Sequence, residues 1–202
     1  MSENRGLAIL LSGRGSNFAA IHAAISKGLL RAEIRCVVSD REDAGGLECA
    51  RSLGLTALYL PSFGSGRAAY DRLLVEKLEP YAPRLVCLAG FMRILGPEFL
   101  RRYPGRVLNI HPALLPAFPG LHAQRQALEY GVKVSGCTVH LVDEGVDTGP
   151  ILLQRAVEVR DDDTEESLSA RILAEEHDVY WRAVALVLDG RVRLEGRRAR
   201  TV

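Results

Sequence analysis

The segment Asn109-Ile110-His111-Pro112 and the later run Asp143-Glu144-Gly145-Val146-Asp147-Thr148-Gly149-Pro150 hold the residue types best suited to chemistry. An amide can donate to a developing oxyanion, an imidazole can carry a proton near neutral pH, and a carboxylate can hold that imidazole charged. Asn109, His111 and Asp147 each stand beside turn-forming residues at the end of an apolar run, so the three can meet in one cleft. Together they suit attack on a carbonyl carbon. A single histidine in a core is more often a satisfied structural group, and that reading stands beside the catalytic one. Asn109, two residues earlier on the same strand face, is what favours chemistry. His140 is expected to line the site, whereas His22 and His122 have no identifiable partner.

Positioning these groups requires a scaffold, and the chain alternates in a way that supplies one. Apolar runs at Leu7 to Leu11, Ile34 to Val38, Thr56 to Leu60, Leu85 to Ala89 and Val107 to His111 read as strands. Helical patterns fall between them at Phe18 to Lys27, Leu47 to Leu53, Arg67 to Leu78 and Pro97 to Tyr103. The pattern changes after Tyr130. Val134 to Val142 and Ile151 to Val159 read as an antiparallel pair, and a long helix from about Glu165 to Leu188 follows, with Asp163-Thr164 as caps. The expected fold is α/β: a single-domain, doubly wound, mostly parallel sheet with an antiparallel C-terminal extension and a long closing helix, over residues 1–202.

Composition narrows the function classes. At 202 residues, 48% apolar and 25% charged, the chain suits one well-buried core rather than a disordered tract. A formal net charge of +1 gives no case for a nucleic-acid or membrane surface. Cys36, Cys49, Cys87 and Cys137 form no C-x-x-C pair, which argues against zinc or a disulfide framework and for a reducing cytoplasm. The short apolar run Leu7 to Leu11 is too brief for a signal peptide or a membrane span. The basic stretch Arg191 to Arg200 reads as a solvated C-terminal strand and fray.

Two further segments have both a functional and a bland reading. Leu11-Ser12-Gly13-Arg14-Gly15-Ser16-Asn17 follows the first strand and opens the first helix. Its small residues let backbone N–H groups approach an anion at a helix N-terminus, with phosphate the natural guest. It is neither a Walker loop nor a full G-x-G-x-x-G, because Ala19 stands at the third position. The alternative is a tight turn with Ser16 or Asn17 as N-cap. Ala89-Gly90-Phe91-Met92-Arg93-Ile94-Leu95-Gly96 follows the fourth strand, where open α/β sheets bind ligands. Met92, Ile94 and Leu95 can line a slot for a flat heterocycle, or be ordinary residues of a strand-to-helix connection.

These segments, with Asn109 to Pro116, Phe118-Pro119-Gly120 and Asp147 to Ile151, resemble the phosphoribosylglycinamide formyltransferases in order over nearly the whole chain. The resemblance implies a folate-dependent enzyme of purine biosynthesis that moves a formyl group from 10-formyltetrahydrofolate to the amine of glycinamide ribonucleotide. It implies a catalytic trio of Asn109, His111 and Asp147, and places Gly15, Ser16 and Asn17 at the nucleotide's phosphoribosyl end. Glu176, with neighbouring Glu175 a one-residue alternative, would bond the ribose hydroxyls. Arg67, Met92, Arg93, Ile94, Leu95, Asn109, His140, Val142 and Asp147 would form the folate site. The departures are Ala113, where a serine is common, and Arg14 at a variable position.

The implied mechanism has a neutral amine attacking the formyl carbon, with Asn109 and protonated His111 stabilising the oxyanion. Asp147 would raise the His111 pKa and help relay a proton through a bound water. No metal, nucleic acid or membrane is implied, and the oligomeric state is left open, a homodimer included. Rival readings are a formyltetrahydrofolate hydrolase, a methionyl-tRNA formylating enzyme and an inactive nucleotide sensor. The first two relatives carry an additional N-terminal or C-terminal domain for which this chain has no room, and a sensor would not need the intact trio.

Overall fold

The computed structural model describes residues 4–61 and 66–202. Residues 1–3 and 62–65, which include Gly64 and Ser65 just ahead of Arg67, lie outside the described residues. The chain resolves into two compact units, Met1–Leu108 and Asn109–Val202.

In the first unit, β1 (Gly6–Leu11) pairs in parallel with both β2 (Glu33–Ser39) and β4 (Leu85–Leu88), and β2 pairs in parallel with β3 (Ala57–Tyr59). Every residue of β1 and of β4 is buried, as uniformly apolar strands of a parallel sheet must be. The helices between them are α1 (Ser16–Ser26), α2 (Gly45–Ser52), α3 (Arg67–Leu78) and α4 (Pro97–Arg102). The start of α1 differs from expectation. It begins at Ser16 because Gly15, in a left-handed conformation at φ 78°, is the N-cap, and no side chain caps the helix. Only glycine enters that conformation cheaply, and a Cβ there would lie 2.8 Å from the Gly46 Cα. Glycine therefore both turns the chain and lets the loop settle on the start of α2. The strand expected over residues 56–60 shortens to β3, a half-buried strand at the sheet edge.

The second unit takes up β5 (Val107–His111) from Asn109 onward, then α5 (Ala123–Tyr130), β6 (Val134–Leu141) and β7 (Ile151–Glu158). β6 and β7 are antiparallel as expected, with a register shift between Val139 and His140. The unpaired residue is Leu152 of β7, opposite the end of β6 that carries His140. The long helix α6 (Glu165–Leu188) runs between the expected ends. Thr164 caps it in a reciprocal pair with Ser167, whose hydroxyl also donates to Asp163. Its buried stripe of Leu168, Ile172, Val179, Tyr180, Ala183, Val184 and Leu188 packs on β6 and β7. The basic C-terminal stretch is solvated strand as expected but does not fray, for it folds back as a hairpin of β8 (Val192–Glu195) and β9 (Arg198–Thr201).

Gly136 in β6 stands where the antiparallel pair leaves no room for a side chain, for a Cβ there would lie 1.9 Å from the Arg155 carbonyl oxygen. Backbone cannot rotate aside as a side chain can, so the strands must part. Gly136→Ala is expected to cost about 2 kcal/mol and to lower Tm by roughly 4–8 °C in a calorimetric scan. Unchanged melting would show that the β6–β7 contact has slack.

Candidate active site

Asp147 organises the second unit's polar cluster. It adopts a positive φ of 54°, uncommon for a residue with a side chain, and so do Phe118 at 53° and His122 at 57°. The Asp147 carboxylate is divided between two sets of partners. Oδ2 accepts from the Gly120 N–H at 2.8 Å and lies 3.3 Å from His111 Nδ1. Oδ1 accepts from Asn109 Nδ2 at 3.3 Å and lies 3.6 Å from His140 Nε2. Asn109 Nδ2 also lies 3.2 Å from His140 Nε2. His140 Nδ1 faces the Leu141 carbonyl at 2.9 Å, so Nδ1 carries a hydrogen.

The turn at Phe118 to Gly120 serves two side chains with groups of opposite polarity. The Phe118 carbonyl lies 2.8 Å from His111 Nε2, while the Gly120 N–H goes to Asp147. Both ring nitrogens of His111 therefore face oxygens. A neutral ring leaves one lone pair against an oxygen in either tautomer, and only the cation satisfies both contacts. Burial nevertheless dominates: it holds the His111 pKa below the ordinary histidine value, against the upward pull of Asp147 and the Phe118 carbonyl. The expected elevation by Asp147 is thus present as a force but does not win. For Asp147, burial pushes upward, but the hydrogen bond with His140, the Gly120 N–H and the two histidines outweigh it and lower the pKa.

The loop around Asp147 is tied internally. Asp143 Oδ1 accepts from the Thr148 hydroxyl at 2.6 Å and from the Gly145 N–H at 3.1 Å. Gly149 lies so close to Leu141 that a Cβ would sit 1.7 Å from its carbonyl oxygen. The segment after His111 is held by buried Thr138, whose hydroxyl donates to the Ala113 carbonyl at 2.6 Å and accepts from the Leu115 N–H at 3.0 Å. Val142 follows β6 directly and is half-buried. On α6, Glu176 is buried at 6% exposure while Glu175 is half-buried.

The first unit holds the other expected residues. Gly13 and Arg14 are exposed, Gly15 is buried, and Ser16 and Asn17 begin α1, whose first turn leaves N–H groups without intrahelical partners. Ser12, absent from the expected set, joins two loops at the carboxyl ends of the strands. Its hydroxyl donates to Asp40 Oδ1 at 2.6 Å and accepts from the Met92 N–H at 2.9 Å, and its N–H donates to the Gly90 carbonyl. Met92 and Ile94 are exposed, at 65% and 53%, whereas Leu95 is buried. Arg67 donates to the Leu95 carbonyl, and the Arg93 guanidinium lies 4.2 Å from the centre of the Tyr70 ring. Among the described residues no His, Cys, Asp and Glu side chains are grouped to hold a metal ion, and no helix is long and apolar enough to cross a membrane.

Comparison with known proteins accounts for this arrangement. Residues 5–184 match the formyl transferase family. The chain belongs to that family. It is 44% identical to the phosphoribosylglycinamide formyltransferase of Escherichia coli, over 93% of this chain and 89% of the relative. The crystal structure of glycinamide ribonucleotide transformylase 1 from Symbiobacterium toebii superposes with a TM-score of 0.97 at 50% identity, covering 100% of this chain and 96% of that one. A formyltetrahydrofolate deformylase from Pseudomonas syringae pv. tomato reaches a TM-score of 0.92 at 25% identity, covering 99% of this chain and 66% of that one. The expected fold class is the one found, a mostly parallel α/β sheet with a small antiparallel C-terminal sheet and a long helix.

The formyl transferase brings Asn109, His111, His140 and Asp147 together, as their spacing suggested. Sequence reasoning missed the roles of Phe118 and Gly120, which act through backbone groups, although Pro119-Gly120 was a legible turn signal. It also missed Ser12 and Thr138, whose hydroxyls have no spacing signature. Because the folded-state pKa of His111 is depressed, its contribution to stability is present above the ordinary histidine pKa and is lost as pH falls through the folded value. Asp147→Asn removes an upward pull, so the His111 midpoint, read from its ring resonances by NMR titration, is expected to fall further. A midpoint that rose in the variant would mean that Asp147 does not act on His111 through its charge.

Proposed function

We propose that this formyl transferase transfers the formyl group of 10-formyltetrahydrofolate to the amine of glycinamide ribonucleotide in de novo purine biosynthesis, its 202 residues acting as one formyltransferase domain. The observation that carries the reading is the Asp147 carboxylate shared by Asn109, His140, His111 and the Gly120 N–H. At rest Asn109 Nδ2 faces Asp147 Oδ1 and His140 Nε2, so the formyl oxygen competes with these two acceptors for its hydrogens. His111 must likewise exchange the Phe118 carbonyl for substrate.

The neutral amine attacks the formyl carbon, an N–C bond forms, and the carbonyl electron pair moves to oxygen. Asn109 stabilises that oxyanion, an effect worth roughly 3–4 kcal/mol for one well-placed donor. Resting His111 is suited to take the amine proton, because burial keeps its pKa low. The resulting imidazolium is stabilised by anionic Asp147 and returns a proton, directly or through water, to the folate nitrogen as the C–N bond breaks. Gly15, Ser16 and Asn17 hold the nucleotide phosphate, and Glu176 the ribose hydroxyls. Arg67, Met92, Arg93, Ile94, Leu95, His140 and Val142 serve the folate. The enzyme works in the cytoplasm, with no metal, nucleic acid or membrane taking part.

The likeness to a deformylase makes hydrolysis of the same donor the competing outcome. Purified protein is mixed with both substrates, and formylated nucleotide and tetrahydrofolate are followed together. Stoichiometric formation of both, abolished in His111→Ala, is the expected result. Tetrahydrofolate and formate without formylated nucleotide would overturn the transferase reading. Asp147→Asn is expected to lower turnover by about 10²–10⁴-fold with the nucleotide KM within a few-fold, and near-normal turnover would remove Asp147 from the mechanism.

A further inference from the structure

The C-terminal hairpin is the basic element that the site has not used. β8 and β9 pair through all their residues, from Val192 opposite Thr201 to Glu195 opposite Arg198, and the tight connection carries Arg197. Arg200 is engaged with Glu195 at 2.8 Å. Arg197 instead reaches 49 residues back along the chain, where its Nη2 donates to the Thr148 carbonyl at 2.8 Å. β9 packs beside β7, and Arg197, Arg198, Ala199 and Arg200 line an open cavity of about 470 Å³ with Gly149 and Ile151.

Thr148 is the residue after Asp147, and it is gripped at both ends. Its hydroxyl is fixed by Asp143 within the loop, and its carbonyl by Arg197 from outside it. Asp147 needs such support. A residue with a side chain at φ 54° is in a sparsely populated conformation that persists where its surroundings over-determine it. The carboxylate contacts to Gly120 and Asn109 hold the side chain; Arg197 holds the adjoining backbone. We propose that Arg197 is a positioning residue for the reaction, and that the C-terminal hairpin is a strut keeping the Asp147 loop in its working conformation.

This inference rests on the catalytic reading of Asp147, and two readouts separate the fate of one from the other. Hydrogen exchange of the peptide over residues 143–149 reports the strut without reference to catalysis. In Arg197→Ala that peptide is expected to exchange faster. At the same time kcat is expected to fall by about 3–10-fold, the scale of one lost ordinary hydrogen bond, with the nucleotide KM and Tm unchanged. Arg197→Lys, which retains a cationic donor, is expected to recover most of kcat. Arg198→Ala, next along the hairpin and without a bond to Thr148, is expected to leave kcat and exchange as they are. Equal exchange and kcat in Arg197→Ala and the parent protein would overturn the strut. An equal loss in Arg198→Ala would overturn it as well, by showing a general effect of disturbing the hairpin. Faster exchange with unchanged kcat, where Asp147→Asn abolishes turnover, would show a tether that does not position the carboxylate and would overturn the catalytic claim.

Discussion

A carboxylate with 12% of its side chain exposed, held at four points, is the constraint on which the second unit depends. An isolated buried carboxylate would neutralise itself by taking a proton, since burial disfavours its charged form by several kcal/mol. Asp147 escapes that outcome because donors or cation-forming rings face both oxygens. They come from three elements: Asn109 and His111 from β5, Gly120 from a turn with positive φ at Phe118, His140 from the end of β6. The local irregularities follow from this need. The bulge before His140, the left-handed Asp147 and the missing Cβ at Gly149 all depart from regular structure where regular geometry would not deliver a group to the carboxylate.

Burial acts on the two titrating partners with different results. For His111 it opposes the charged form and prevails, holding the pKa below the ordinary histidine value. For Asp147 it also opposes the charged form but is outweighed. A proton arriving at His111 finds both contacts already placed to stabilise it, with little reorganisation of the surrounding dipoles. That is the physical content of preorganisation here: both ring nitrogens face oxygens, an arrangement matched to the protonated ring.

The scaffold was legible because hydrophobic periodicity records burial. The uniformly apolar runs became β1 and β4, the ends of α3, α6 and β5 fell where the pattern put them, and the pair β6–β7 was antiparallel. Boundaries governed by a single backbone conformation were less legible. α1 starts on the left-handed Gly15 and not on a capping side chain, and the C-terminal stretch pairs with itself although its side chains are largely exposed and charged. The imidazole, amide and carboxylate were legible because their chemistry is written in the side chain. Phe118, Gly120, Ser12 and Thr138 act through main-chain groups or small hydroxyls, which any sequence contains in abundance, and only their placement gives them meaning.

The two units solve different problems with different bonds. Around Ser12 the loops of the first unit are fixed by a hydroxyl and main-chain groups: Met92 to Ser12, Ser12 to Gly90, Gly46 to Gly13. The Ser12 hydroxyl also donates to Asp40 Oδ1 at 2.6 Å, so one small side chain ties together the loops at these strand ends. The cluster around Asp147 is built from titrating groups whose strength depends on which of them holds the proton. His111 and Asp147 stand 3.3 Å apart, with 5% and 12% of their side chains exposed, so the proton affinity of each answers to the charge of the other.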